Sequence, residues 1–394
     1  MDRLLHTPDG VRDIYGDECA GRKLMKASLV SELHLYGYKD IETPEFEFFD
    51  VFNTDRGTVS SREMFKMTDR TGDTLVLRPD ITPSIARAVS KYYQDETIPL
   101  RFAYSGNVFR SGGALQGKMR QTTQIGAELV GDPGIEGDAE IISLAVSMML
   151  RSGLTDFQID IGHVGFFRAL AKESALDGDS VGELRELIES KNYFGIESYL
   201  EDKGIKGESA AAFIRMPELF GSDDTLDKAR ALTSSPAALE VLDYLDRLYD
   251  IVKDYGFEKY VTIDLGMLSE YNYYTGIIFK GYTYGSGDPV IQGGRYDRLI
   301  GQFGKEAASV GFAVLLDELL LALSRQHIDI HVPEPGVMIL FEEGFREKAI
   351  REAGALRSEG ISVTVLKRDP DRAMEDYEAY CKNYSIGRIE YIDC

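Results

Sequence analysis

Cysteine and histidine are scarce in this sequence. Its 394 residues include three cysteines, Cys19, Cys381 and Cys394, and five histidines. The cysteines form no C-x-x-C pair and the histidines show no metal-ligand spacing, whereas zinc sites use closely spaced Cys and His residues. A small, odd set of thiols is typical of proteins from a reducing cytosol. The sequence therefore predicts neither a disulfide framework nor a metal site.

A long hydrophobic run is also missing. A transmembrane helix needs about 20 consecutive apolar residues, and the most apolar stretch, Gly311–Leu323, is interrupted by Asp317 and Glu318. The opening residues MDRLLHTPDGVRD carry charges where a secretory signal would be apolar. We therefore expect a cytoplasmic protein that has no membrane contact.

Positive charge is in deficit, because 66 acidic side chains face 44 basic ones and the formal net charge is -22. A protein whose main task is to hold nucleic acid usually presents a basic face. No run of lysine and arginine stands out in this chain. The charge therefore opposes tRNA as a partner without excluding it, since acidic synthetases with a local basic patch exist.

The remaining composition is that of an ordinary globular protein, with 43% hydrophobic and 28% charged residues. A chain of this length predicts two or three domains. Mixed helix and strand patterns over 1–164 give way to an all-helical insertion over 165–255, and strands return over 256–330. The last part, 331–394, opens with a linker at 331–336 and then shows a β-α-β-α-β pattern.

Three local patterns carry the candidate site residues or flank them. Residues 100–109 and 121–130 are strand-like. Residues 65–68 and 74–77 alternate on either side of a turn, which predicts a hairpin. The apolar run 311–325 predicts the last helix of the core.

Taken in order, these segments resemble the core of class II aminoacyl-tRNA synthetases, and in particular the histidyl branch. The resemblance begins with TPDGVRD at 7–13, continues with a segment similar to motif 1 at 36–45, and extends to about Leu323. A weaker likeness to the anticodon-binding domain follows at the C-terminal end. The resemblance implies an α+β fold with a mostly antiparallel sheet of six or seven strands, and a homodimer formed through 36–45.

The segment 110–128 resembles motif 2, which in the family begins with an R-x-E triplet. The arginine grips the amino-acid carboxylate and the ATP α-phosphate, because a planar guanidinium pairs well with such oxyanions. The glutamate holds the adenine. In this sequence Arg110 is present, but Gly112 stands at the position of the glutamate.

Gln124 and Glu128 look like the family's contacts to the histidine amino group and imidazole. A separation of four residues puts both side chains on one face of a strand. An isolated pair of this kind would usually face solvent, whereas the surrounding resemblance favours ligand contact.

The segment LRPDITP at 77–83 resembles the family's L-R-P-E-G-T element, in which the acid and the threonine bind the substrate amino group. Asp80 and Thr82 keep a carboxylate and a hydroxyl for that ammonium. As an alternative, either side chain caps the N-terminus of the following helix. Both roles are compatible.

The segment NYYTGIIF at 272–279 resembles the first histidine-specific element of the family. Its tyrosine pair, which flanks the imidazole, is intact as Tyr273 and Tyr274, although a tyrosine pair on its own would more often pack in a core. Ser269 stands where histidyl synthetases have an arginine that stabilises negative charge as the carboxylate attacks ATP. Loss of one such stabilising group typically costs about 10²–10³ in rate.

The last two elements lie near the end of the core. GGRYD at 293–297 reproduces the second histidine-specific element, and 310–319 occupies the position of motif 3. The motif 3 arginine that meets the ATP γ-phosphate is replaced by Glu318, and the glycine that leaves room for adenine is replaced by Leu315. A carboxylate repels a triphosphate.

The losses fall mainly on the ATP side, although Ile81, Pro83 and Asn272 also depart from the family's histidine elements. Three ATP positions, Gly112, Ser269 and Glu318, have lost their family residues. Most histidine contacts remain, and they are Asp80, Thr82, Arg110, Gln124, Glu128, Tyr273 and Tyr274. This profile resembles the regulatory subunits of ATP phosphoribosyltransferase, the first enzyme of histidine biosynthesis. The resemblance implies a short-form catalytic subunit as partner, L-histidine as feedback effector, no catalytic residues and no cofactor.

Two other functions remain open at this point. A divergent histidine–tRNA ligase is favoured by Arg110, Gln124, Glu128 and the tyrosine pair, and opposed by Ser269, Glu318 and the negative charge. The second possible function is that of a stand-alone module that senses histidine or uncharged tRNA. The C-terminal unit is shorter than the family's anticodon-binding domain, which further opposes tRNA reading.

Overall fold

The computed structural model describes residues 3–52, 59–112, 118–221, 224–268, 273–330 and 336–393. The chain divides into two units, one of residues 1–12 with 26–329 and the other of residues 13–25 with 330–394. None of the helices in the described ranges has the length and apolar content that a membrane span requires. Residues 331–335 of the expected linker lie outside the described residues.

Fifteen strands are formed by the described residues. They are β1 (Lys39–Asp40), β2 (Phe46–Phe48), β3 (Lys66–Thr68), β4 (Thr74–Leu77), β5 (Leu100–Phe109), β6 (Gln121–Val130), β7 (Phe157–His163), β8 (Phe220–Gly221), β9 (Val261–Asp264), β10 (Ile277–Thr283), β11 (Ile291–Arg295), β12 (Ser309–Leu315), β13 (Gly336–Phe341), β14 (Val363–Lys367) and β15 (Ile386–Ile392).

Twelve α-helices accompany these strands in the described ranges. They are α1 (Gly16–Leu35), α2 (Thr82–Tyr92), α3 (Ile135–Arg151), α4 (Val164–Glu173), α5 (Gly178–Glu189), α6 (Tyr193–Asp202), α7 (Gly207–Arg215), α8 (Thr225–Arg230), α9 (Pro236–Asp254), α10 (Leu316–Arg325), α11 (Arg346–Ser358) and α12 (Met374–Asn383).

A nine-stranded sheet in the order β1-β5-β6-β12-β11-β10-β7-β9-β8 forms the centre of the larger unit. Only the pairs β1–β5 and β7–β9 are parallel, so the expected α+β class with a mainly antiparallel sheet is confirmed. The expectation of six or seven strands was too low, because the sequence did not predict β8 and β12. Strand β8 is two residues long, which is too short to produce an alternating pattern in the sequence.

The apolar run 311–325 was predicted to form one helix, and this prediction was wrong. Its first part belongs to strand β12, which pairs with both β6 and β11, and α10 begins only at Leu316. Strand β12 is buried on both faces from Ser309 to Val314. A strand of that kind has no alternating pattern, and a short apolar run does not by itself distinguish a buried strand from a helix.

Residues 164–254 contain six helices, α4 to α9, together with the short edge strand β8. The expectation of an all-helical insertion was therefore wrong at Phe220–Gly221, which pairs with β9. Side-chain caps begin several of these helices. Asp177 accepts a hydrogen bond from the backbone N of Ser180 at 2.8 Å, and Ser235 precedes Pro236 at the start of α9. The predicted domain boundaries remain a prediction.

A small sheet, β2-β4-β3, includes the predicted hairpin, whose register pairs Lys66 with Val76 and is confirmed. On its inner face, Val76 is fully buried, and Glu47 accepts a hydrogen bond from Arg87 at 2.8 Å. The outer face is apolar and exposed. It carries Phe46, Phe48 and Met67, which are 56%, 55% and 40% exposed.

The smaller unit contains a parallel sheet in the order β14-β13-β15, so the predicted β-α-β-α-β order is confirmed. Alternate residues of β13 face opposite sides of this sheet. Ile339 packs on the side of Ala349 and Ala353 in α11, whereas Leu340 packs on the side of Tyr377 in α12.

Candidate functional site

A pocket opens over the middle of the nine-stranded sheet. All seven residues that the sequence analysis assigned to histidine binding line it. The full lining is Asp80, Thr82, Tyr104, Arg110, Gln124, Glu128, Tyr273, Tyr274, Gln292, Gly293, Tyr296, Gly311, Phe312 and Ala313.

Strand β6 provides the two polar groups at the floor of the pocket. Gln124 and Glu128 are 2% and 1% exposed, so the alternative that this pair faces solvent was wrong. Glu128 lies directly opposite Gly311 on β12. A Cβ atom at Gly311 would lie 1.7 Å from Oε2 of Glu128. Only glycine therefore leaves room at this position for the carboxyl group.

Two hydroxyl groups hold the carboxyl group of Glu128. Thr82 Oγ1 donates to Oε1 at 2.7 Å, and the hydroxyl of Tyr296 donates to Oε2. Burial raises the pKa of Glu128 to about 8, the two hydroxyls oppose this rise, and the charge of Asp80 adds to it. The carboxyl group therefore keeps its proton to a higher pH than an exposed glutamate does.

Gln124 is the second polar group of the floor. Its Oε1 atom is buried and has no hydrogen-bond partner among the described residues. Most buried polar atoms in folded proteins are paired, so an unpaired acceptor in a pocket points to a donor that a ligand supplies. Gln124 thus offers an acceptor on the same wall as Glu128.

The start of α2 contributes Asp80 and Thr82. Asp80 Oδ1 accepts a hydrogen bond from the backbone N of Ile81 at 2.8 Å, whereas no side chain caps the first turn of α2. Thr82 therefore does not cap the helix, because its hydroxyl donates a hydrogen bond to Glu128 instead. Asp80 and Thr82 are 7% and 8% exposed.

Tyrosines form the side wall. The ring centres of Tyr273 and Tyr274 are 4.6 Å apart, and Tyr273 meets Tyr296 edge to face at 5.9 Å. Tyr104 donates its hydroxyl to the backbone O of Phe312 at 3.1 Å. Neither Tyr104 nor Tyr296 was among the site residues predicted from the sequence. Tyr296 lies in the G-G-R-Y-D element, which could have indicated it, but Tyr104 had no local signal.

Arg110 lies at the end of the pocket where β5 runs out. Its Nε donates to the backbone O of Pro79 at 3.3 Å, and its backbone N donates to the O of Arg120 at 2.9 Å. These contacts hold the arginine next to the segment that carries Asp80. The pocket therefore has the guanidinium of Arg110 at one end, beside the segment that carries Asp80. Its floor consists of a buried amide and a buried carboxyl group, and its side wall is aromatic.

Gly112 and Glu318, two of the positions that differ from the ATP-binding residues of the family, are not among the residues that line this pocket. Gly112 lies beside Glu63, whose Oε1 would be 3.1 Å from a Cβ atom at position 112. Glu318 is in the first turn of α10, where partial burial and the charges of Asp288 and Asp317 raise its pKa. Ser269 lies outside the described residues.

No group of three or more Asp, Glu, His or Cys side chains in the described ranges is arranged to hold a metal ion. Asp317 accepts a hydrogen bond from the backbone N of Thr123 at 2.8 Å, and Lys118 pairs with Asp288 at 3.2 Å. Near α10 the three acids Asp288, Asp317 and Glu318 outnumber the basic residues Lys118 and Arg325, which is unfavourable for a triphosphate.

Comparisons with known proteins give a consistent result. The family described as histidyl-tRNA synthetase matches residues 10–319. The ATP phosphoribosyltransferase regulatory subunit of Acetivibrio thermocellus is 38% identical over 92% of this chain and 86% of that protein. The protein of the same name from Clostridium acetobutylicum is 37% identical over 98% of this chain and 94% of its own length.

Solved structures agree. One from Bacillus halodurans, described as an ATP phosphoribosyltransferase regulatory subunit/histidyl-tRNA synthetase, has a TM-score of 0.88 at 30% identity and covers 99% of both chains. The histidyl-tRNA synthetase of Nostoc sp. PCC 7120 has a TM-score of 0.81 at 21% identity over 97% of this chain and 90% of that chain, which shows the shared fold alone.

The raised pKa of Glu128 predicts a pH-dependent stability. Between its ordinary value of 4.5 and about 8, the folded chain keeps a proton that the unfolded chain has released. Stability therefore falls as pH rises through this window, by up to roughly 1.4 kcal/mol per pH unit. Glutamine does not titrate, so Glu128→Gln avoids this loss of stability. The melting temperature of Glu128→Gln minus that of the wild type should therefore be larger at pH 8 than at pH 5.

Thermal unfolding of both proteins at the two pH values measures this difference. Glu186→Gln, on the exposed surface of α5, is the matched control and should show the same offset from wild type at both values. An offset for Glu128→Gln that does not change with pH would contradict the assignment.

Proposed function

The chain belongs to the family of ATP phosphoribosyltransferase regulatory subunits, with the domain of histidyl-tRNA synthetases, and we propose that it is the non-catalytic subunit that binds L-histidine as effector. Its partner is a short catalytic subunit of ATP phosphoribosyltransferase, which depends on this chain for activity. The bound histidine then reports the level of the end product of histidine biosynthesis to that partner.

The pocket floor supports histidine as the ligand. An imidazole has an N–H donor in a flat ring, and Glu128 offers an acceptor for it, whereas the unpaired Oε1 of Gln124 is an acceptor for the ligand ammonium. The ring of the ligand packs against Tyr273 and Tyr274. A donor at Glu128 favours the ionised carboxylate, so ligand binding lowers the pKa of this group toward its ordinary value.

The polar rim completes the recognition of a free amino acid. The ligand ammonium meets Asp80, Thr82 and Gln124, and its carboxylate pairs with the guanidinium of Arg110. Each hydrogen bond to a charged group in such a pocket is typically worth about 1.5–3 kcal/mol. Amino-acid recognition of this kind requires no nucleotide, which suits an effector site.

The changes at the ATP positions support a regulatory and not a synthetase role. Gly112 has no side chain to accept the adenine amino group, and Glu318 brings a negative charge where a triphosphate would need a cation. Ser269, at the position of the family's charge-stabilising arginine, has no positive charge either. A pocket with these features binds an amino acid without activating it.

Charge also supports a function without tRNA. Residues 165–255 contain nineteen acidic and eleven basic side chains. Counterion release from a basic surface supplies most of the affinity for nucleic acids, and this helical segment offers a net negative surface. The partner that we propose for this chain is therefore a protein.

Regulation requires that histidine discriminate between two states of the hetero-complex. A ligand changes the activity of a partner only through its different affinity for the two arrangements. The same coupling works in reverse, so the state of the catalytic subunit alters the affinity of this chain for histidine.

The outer face of the small sheet supports a homodimer within the complex. Phe46, Phe48 and Met67 expose an apolar surface, and it follows directly on 36–45, the segment similar to motif 1. Contiguous exposed apolar side chains mark interaction sites. A two-fold dimer uses the same patch on both copies.

The first test of this function measures adenylation. Because the three ATP positions carry neither a cation nor an adenine acceptor, the purified chain should show no histidine-dependent exchange of pyrophosphate into ATP. An authentic histidyl-tRNA synthetase measured in parallel is the positive control. Exchange at about a hundredth of its rate, a loss that removal of one charge-stabilising group explains, would favour the divergent ligase instead.

The second test removes the acceptor for the imidazole. Glu128→Ala should weaken histidine binding roughly ten- to a hundredfold, the equivalent of one charged hydrogen bond. Calorimetry measures the binding, and inhibition of the hetero-complex should require proportionally more histidine. Gln121→Ala, exposed at the start of the same strand β6, is the matched control and should bind as wild type does. Absence of histidine binding to the wild-type chain, alone or with its partner, would rule out the effector role.

The third test concerns the homodimer. Phe48→Glu places a charge on the apolar face of the small sheet, so it should shift the chain from dimer to monomer in sedimentation at micromolar concentration. Phe194→Glu changes a phenylalanine that is 82% exposed on the helical segment, and this control should remain a dimer. A wild-type chain that sediments as a monomer would contradict the proposal.

A further inference from the structure

A buried polar cluster lies outside the ligand pocket and joins three elements. Arg295, the last residue of β11, is 5% exposed, and Asp138 on α3 is fully buried. Nε and Nη2 of Arg295 reach Oδ1 of Asp138 at 2.8 and 2.6 Å. Tyr244 on α9 donates its hydroxyl to the other oxygen of Asp138 at 2.5 Å. One carboxylate therefore links a core arginine to a tyrosine of the helical segment.

Arg295 does not depend on Tyr244 for its hydrogen bonds. Its Nη1 donates to the backbone O of Asp132 at 2.9 Å and to Oδ1 of Asp297 at 3.1 Å, and Nη2 donates to the O of Gly134 at 3.2 Å. Together with Asp138, these acceptors pair the guanidinium within the core. Tyr244 adds a connection to the helical segment, which the ion pair alone does not have.

The same arginine belongs to the backbone that carries the tyrosines of the pocket. Tyr296 follows it directly and donates to Glu128. Thr275, which follows Tyr274, donates its backbone N to the O of Arg295 at 2.8 Å. A displacement of Arg295 therefore moves both tyrosine-bearing segments, 273–275 and 295–297, relative to the pocket floor.

Helix α9 is well placed to receive such a displacement. It packs against α3 and α4, and it buries Leu245, Leu248 and Val252. The ring of Tyr244 also meets the ring of His163 edge to face at 5.7 Å. Burial and the charge of Asp138 raise the pKa of Tyr244, so its hydroxyl keeps the proton that it donates.

We propose that Tyr244 is a positioning residue that couples the helical segment 164–254 to the histidine pocket through Asp138, Arg295 and Tyr296. This inference rests on the proposed function. Binding of histidine at Glu128 changes the hydrogen bond from Tyr296, and the adjoining Arg295 passes the shift to Asp138 and α9. By reciprocity, a partner that displaces α9 changes the affinity for histidine.

Hydrogen exchange measured by mass spectrometry on the full chain tests this coupling. In the wild type, saturating L-histidine should slow exchange in β6 and also in α9, the latter by about threefold to tenfold, the size of typical couplings through a packed protein. Tyr244→Phe should keep the protection of β6 and lose that of α9. The matched control is Tyr199→Phe, which removes a 3.2 Å hydrogen bond to the O of Ser180 within the helical segment and should behave as wild type.

Three outcomes overturn the proposal. The first is that L-histidine slows hydrogen exchange in β6 of the wild type but leaves exchange in α9 unchanged. This result requires no variant and leaves the effector site intact. The second is an α9 that remains protected in Tyr244→Phe. The third is loss of α9 protection in both variants, since that result would assign the effect to the general stability of the helical segment. Absence of protection in β6 as well would show that the proposed function itself fails.

Discussion

Burial of one carboxyl group, that of Glu128, is the constraint on which the pocket depends. The group lies on a central strand, and its nearest neighbours are two hydroxyl donors and a glycine. An ionised carboxylate at such a position is costly unless it is paired. Burial accordingly raises the pKa of this group, and under the proposed function a donor of the ligand completes its environment. Buried groups with strongly shifted pKa values often mark functional sites.

The surrounding residues follow from that constraint. Gly311 is required because any Cβ atom would occupy the position of the carboxyl group, and Tyr296 is held where its hydroxyl reaches the far oxygen. Arg295, next to Tyr296, is fixed by Asp138 and by two backbone carbonyl groups. The buried ion pair therefore does more than neutralise charge, because it sets the position of the pocket wall and connects it to α9.

The distribution of charge differs between the pocket and the start of α10. Arg110 and several tyrosines line the pocket, whereas partial burial and neighbouring acids raise the pKa of Glu318 at the start of α10. Phosphate groups are repelled by such a surface. An amino-acid pocket without a triphosphate site is what the proposed regulatory function requires.

Local patterns in the sequence were sufficient for much of the fold and for seven residues of the pocket. The period of two placed Gln124 and Glu128 on one face of β6, and the motif order located Asp80, Thr82, Arg110 and the tyrosine pair. Three features required the tertiary structure. Strand β12 could not be told from a helix, because both its faces are buried, and the two-residue edge strand β8 had no pattern of its own. The contacts of Tyr104 with Phe312 and of Tyr244 with Asp138 join residues 208 and 106 positions apart. Periodicity reports only on neighbours along the chain, so contacts of this kind are decided when the sheet and the helices pack.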